Sequence, residues 1–150
     1  MHDGPVGLAL DYAREQAPRD VRDCLDWLVE GEFALAGERG GPDESAANVQ
    51  LTFERSQLTV QITRDRGQWM MNIDPGHGKF VPLHILLTAW DGTVPAIRAR
   101  NPVEQLPEVL PEGVAWRTVA PAIIAWLESG NRDREIGEAG AAWTRAWKKR

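Results

Sequence analysis

Cysteine occurs once, at Cys24, so no disulfide can form within the chain and a cysteine-rich zinc site is excluded. No stretch approaches the roughly 20 apolar residues that a membrane helix needs, and no membrane partner is expected. The opening residues, MHDGPVGLALDYAREQ, lack the basic start and apolar run of a signal peptide. A soluble, cytoplasmic protein is therefore the expectation. No sustained cationic footprint is present, which argues against nucleic acid as a partner. Internal repeats, coiled-coil heptads and domain linkers are absent too. Enzyme signatures are equally scarce: there is no Gly-x-Ser-x-Gly elbow, and no Gly-x-Gly-x-x-Gly follows a strand.

What the chain does have is alternation. Three segments, VQLTFER, QLTVQITRDRG and QWMMNID, place apolar residues at every second position between Val49 and Asp74. Val49, Leu51 and Phe53, then Leu58, Val60 and Ile62, then Trp69, Met71 and Ile73 each share one parity. Successive side chains of a strand point to opposite faces, so the pattern gives one buried and one wet face. Arg55-Ser56-Gln57 and Asp65-Arg66-Gly67 supply the turns, with Gly67 suited to a left-handed position. The composition DPGHGK after the third strand demands another turn.

Helical periodicity surrounds these strands. A short helix is expected from Pro5 to Gln16. A second, from Pro18 to Ala36, is drawn by Val21, Cys24, Leu25, Leu28, Phe33 and Leu35. The glycine-rich run GERGGPDES then reads as a flexible loop near 37–48. A helix begins at Pro82 and runs through Leu83, Leu86, Leu87 and Trp90 to a stop at Gly92. Four prolines make 93–116 irregular, with one helical turn near Val103 to Leu110. Two further helices follow Val119–Leu127 and Ile136–Trp147. The expected architecture is α+β: an antiparallel β-meander of at least three strands with helices packed on one face, in a single domain over 1–150. With 150 residues, 43% of them hydrophobic, one core without disulfide or metal support is feasible. Seven tryptophans favour dense packing, and with the open edges of a short meander they leave a homodimer open.

Candidate chemistry is sparse. Asp74, His77 and His84 are the nearest approach to an acid–base or metal cluster, but the helical His-x3-His spacing of a metal site is missing. The string GHGK lacks the Walker spacing, and Phe80 stands where Ser or Thr is needed. Cys24 falls on the apolar stripe of its helix and should be inert. No catalytic residue, metal or cofactor is assigned. Charge is more informative. Residues 1–54 hold 12 Asp or Glu against four Arg, a balance of −8, whereas the remainder balances at +3. Asp23, Asp26 and Glu30 lie along one side of their helix, with Asp43 and Glu44 in the loop beyond. Either they form a solvated face paired with Arg19 and Arg22, or they dock a cationic protein, with Trp27 as an aromatic anchor.

The stretch Val60-Gln61-Ile62-Thr63-Arg64-Asp65-Arg66-Gly67-Gln68-Trp69, followed by a strand and a Leu-rich helix, resembles small bacterial immunity proteins of polymorphic toxin systems. It also resembles related uncharacterised families that carry the strand–DRGQW–strand motif. The resemblance covers Leu58 to Trp90. It implies a non-enzymatic protein that binds and blocks a cognate toxin, with Asp23, Asp26, Glu30, Asp43 and Glu44 the contact residues favoured by charge. The rival expectation is a small-molecule-binding domain or minor enzyme with a pocket between sheet and helices, lined by Trp69, His84 and Trp90.

Overall fold

Where the alternation is strictest, the chain is a sheet. The computed structural model describes residues 7–40, 48–65, 67–92 and 114–148. Two helices come first, α1 (Leu8–Gln16) and α2 (Arg19–Glu30). Five strands follow: β1 (Ala34–Gly40), β2 (Val49–Arg55), β3 (Leu58–Asp65), β4 (Gln68–Asp74) and the short β5 (Val81–Pro82). The helices α3 (Leu83–Asp91), α4 (Trp116–Glu128) and α5 (Asp133–Lys148) complete the fold. The strands pair antiparallel in the order β1-β2-β3-β4-β5, an open meander.

Register turns sequence parity into a core. Leu51 pairs with Ile62 and Ile62 with Met71, while Phe53 pairs with Val60 and Val60 with Ile73. All six are buried. They join Cys24, Leu25 and Leu28 of α2, Leu86 of α3 and Ala120, Ile123 and Ile124 of α4 in one cluster. Each large apolar side chain so buried contributes about 1.5–3 kcal/mol of transfer free energy. On the opposite face, Gln50, Thr52, Thr59, Gln61, Thr63, Met70 and Asn72 are all half-buried and none is buried. Among the described residues, the helices therefore pack on one face.

The second helix is shorter than its apolar spacing predicts. It ends at Glu30 rather than Ala36 because the chain reverses at Glu32, whose φ of 68° is left-handed. The Phe33 amide then donates back to the Leu28 carbonyl at 3.1 Å, closing a Schellman-type stop. Phe33 and Leu35, spaced by two, face the core in strand periodicity instead of continuing the helix. The run expected as a loop from 37 is likewise strand as far as Gly40, while 41–47 lie outside the described residues. Gly40 sits at φ 92°, and a Cβ there would drive into the Asn48 carbonyl. A bulge between Leu35 and Gly37 interrupts the pairing of β1 with β2, which twists this edge strand and hinders pairing along its free side.

Both hairpin turns have two residues rather than three, since Arg55 pairs with Leu58 and Asp65 with Gln68. Ser56 takes φ 56° in the first, and Gly67 φ 82° in the second. The helix expected from Pro82 is α3, stopped by Gly92 in the left-handed region. The turn expected near Val103 to Leu110 lies outside the described residues. No helix among the described residues is long and apolar enough to cross a membrane.

Candidate functional site

The groups most able to do chemistry are withdrawn from it. Cys24 is fully buried, and burial, followed by the charge of Asp20, pushes its thiol up to about 12. His84 is buried between α3 and α5, edge-on to Trp143 with ring centres 4.5 Å apart. Burial pushes its imidazole down to about 4. Asp74 turns onto its own loop, where Oδ1 accepts the amides of Gly76 and His77 at 2.8 Å and of Gly78 at 3.2 Å. Partial burial raises its pKa, but these amides and that of Lys79 outweigh it and lower the carboxyl below its ordinary value. The amides of GHGK thus already have an anion, and it is internal. His77 directs Nε2 to Asp133 at the start of α5, 2.9 Å away. Asp74, His77 and His84 do not converge, and no metal-holding group of His, Cys, Asp or Glu occurs among the described residues.

The acidic face of α2 is largely committed within the molecule. Asp23 accepts from Arg117 Nη1 at 3.0 Å, while its expected partner Arg19 stands 3.8 Å off. Asp26 pairs with Arg14 of α1 at 2.6 Å rather than with Arg22. That contact is ionic and off-axis, since Oδ1 makes no well-aimed hydrogen bond. Glu30 is exposed, and Asp43 and Glu44 lie outside the described residues. Trp27 is half-buried against Phe33, with ring centres 6.1 Å apart, so most of its surface belongs to the core.

Three charged residues that the sequence did not single out organise this region. Asp20 accepts the amides of Trp116 at 2.9 Å and Arg117 at 3.0 Å, capping α4 where Ala115 offers no side-chain acceptor. Glu38 does the same for α1, taking the amides of Gly7 at 2.6 Å and Ala9 at 2.8 Å. Arg55 grips Glu128 with two N–H groups, donates to the Gly31 carbonyl at 2.7 Å, and lies over Phe33. No local spacing announces these partners. They are brought together only by the fold.

The expected pocket of Trp69, His84 and Trp90 does not form as drawn. His84 is enclosed, Trp69 lies half-buried beneath the Arg64 guanidinium, and Trp90 is 38% exposed at the end of α3. A cleft of about 790 Å³ lies against Arg39, Asn48, Gln50, Thr63, Asp65 and Met70, at the end of the sheet where β1 meets β2 through Gly40 and Val49. Its lining combines the carboxylates of Glu38 and Asp65, the guanidinium groups of Arg39 and Arg64, and the neutral polar side chains of Asn48, Gln50 and Thr63. It can hold and orient a polar group. It adjoins the sheet face away from the helices, whose outward rows are Thr52, Gln61 and Asn72, and then Gln50, Thr63 and Met70. Glu30, Glu32 and Glu54 are exposed around the opposite end, where Arg55 reaches the Gly31 carbonyl. Comparison with protein-family models, curated proteins and solved structures gives no match to the chain.

Proposed function

We propose that the chain is a non-enzymatic binding protein, an immunity-type inhibitor that docks on a cognate cationic toxin. The observation that carries this reading is the sheet face away from the helices, rich in Thr, Gln and Asn among the described residues, with Glu54 on it and Glu30 and Glu32 exposed at the same end of the sheet. Neutral amides and hydroxyls give directional hydrogen bonds, and a carboxylate rim steers a basic protein to them. Inward withdrawal of Cys24 and His84 favours binding over turnover. The motif from Val60 to Trp69 adds its resemblance to immunity proteins. Asp23 and Asp26 contribute less, because arginines of this chain already neutralise them.

Coexpression with the C-terminal domain of a secreted protein encoded immediately upstream tests the reading. Restored growth and a stable complex are expected. Failure of both rescue and complex formation would overturn it. Within such a complex, Glu30→Lys with Glu54→Lys should slow association by about tenfold at low salt and less at high salt.

The cleft beside Gln50 and Thr63 favours a second reading, a small polar ligand held at the sheet's end. A ligand that co-purifies with the protein and is lost in Gln50→Ala would support that alternative.

A further inference from the structure

We propose that α5 is a pH-released latch: a proton on His84 frees Asp133–Lys148 from α3 while the sheet and the other helices stay folded.

Among the described residues, α5 packs chiefly on α3, and Ala139 is its one buried side chain. Two contacts near its middle hold it. Trp143 sets its ring against His84, and Trp143 Nε1 donates to Thr88 Oγ1 at 2.9 Å. His84 is 4% exposed, and its Nδ1 is buried without a hydrogen-bond partner. A neutral imidazole tolerates this by leaving Nδ1 as the unprotonated nitrogen. An imidazolium has a proton on both nitrogens and a full charge, so the same site would bury an unanswered N–H and an unpaired cation. Swinging α5 away returns the ring to water.

Among the described residues, no neighbouring charge offsets that cost. On α5, Asp133 is held by His77, Glu135 by Arg132, and Arg134 and Glu138 pair in solvent, while Arg145 is exposed. From α4, Arg117 is bound to Asp23 and Glu128 to Arg55. In β4, Asp74 is turned onto its loop, and Asp91 lies exposed at the far end of α3. β5 carries no ionisable side chain. Burial alone holds the docked ring to about 4, against 6.5 when free. Docking is thus strongest above pH 6.5 and weakens as the pH falls, by roughly 30-fold at pH 5 and approaching 300-fold below pH 4.

Hydrogen exchange at pH 7.5 and pH 5, corrected for intrinsic rates, tests the latch on the full chain. Amides of α5 should lose roughly 30-fold in protection and stay less protected than β2 and β3 at both values. His84→Phe keeps a ring against Trp143 but cannot take the proton, so its α5 protection should no longer depend on pH; His84→Met serves if the Phe variant lacks a native near-UV spectrum. His77→Gln should retain the pH response. A single protection level shared by α5 and the strands would overturn the proposal, as would an equal loss in the His84 variant or its absence in His77→Gln.

Discussion

The Asp20 carboxylate accepts the Trp116 amide at 2.9 Å, joining the first turn of α2 to the first turn of α4 across 96 positions. The Arg117 amide shares the same carboxylate at 3.0 Å. A helix start presents unsatisfied N–H groups and a partial positive charge, and a carboxylate answers both. Glu38 repeats the device at α1. Asp20, Asp23, Asp26 and Glu38 of the acidic first third are therefore engaged in holding helices together. Charge remaining for a partner is concentrated on residues such as Glu30, Glu32 and Glu54.

Removing the cap should show as lost stability. Asp20→Ala is expected to cost about 1–2 kcal/mol, which at this chain length lowers Tm by roughly 3–6 °C. Asp20→Asn retains an oxygen acceptor and should cost less. Thermal unfolding of the two variants measures the difference, and equal Tm values for Asp20→Ala and the parent protein would show that the bond contributes nothing net.

Arg55 joins three elements at once, so its loss should exceed that of its partner. Arg55→Ala abandons Glu128, the Gly31 carbonyl and the Phe33 ring together, whereas Glu128→Ala leaves the last two contacts in place. Both partners are 30% exposed, so solvent screens the pair and a coupling of about 1 kcal/mol is expected from a double-mutant cycle. Urea unfolding supplies the four free energies. Arg55→Lys should fall between Arg55→Ala and the parent, because an ammonium cannot reach both the carboxylate and the carbonyl.

Local pattern carried the centre of the fold and not its margins. Leu51, Phe53, Val60, Ile62, Met71 and Ile73 alternate without interruption, so their shared buried face was legible, whereas the register awaited the two-residue turns. β1 escaped because Ala34, Ala36, Gly37 and Gly40 give little hydrophobic signal, and the strand exists through its pairing with β2. The end of α2 was missed because Phe33 and Leu35 suit a helical stripe about as well as a strand. Glu32, not a glycine, takes the left-handed position that stops the helix. At the candidate site, the wet face was legible in the same alternation. The fate of Asp23 and Asp26 was not, because their partners Arg117 and Arg14 lie beyond any i, i+4 relation.

Cys24 should behave as core and not as a reagent. With its thiol pushed up to about 12 by burial and then by Asp20, the thiolate fraction near neutrality is minute. Iodoacetamide at pH 8 should label the native protein on the order of a thousandfold more slowly than a free thiol, and label it fully in denaturant. Intact mass over time measures both rates. Native labelling at the rate of an exposed cysteine would mean that α2 does not bury this residue against the sheet.

The acid limb of stability should depend on Asp74. In the folded chain its carboxyl lies below 3.8, since amides from Gly76 to Lys79 outweigh the opposing effect of burial. The unfolded chain therefore takes up the proton first as the pH falls. The resulting stabilisation is complete above 3.8 and disappears as the pH drops through the lower folded value. Asp74→Asn keeps an oxygen for the amides but cannot titrate, so its stability should fall less steeply between pH 4 and pH 2. Urea midpoints across that interval compare the slopes. Superimposable profiles for the variant and the parent would show that the loop amides do not hold the ionised carboxylate.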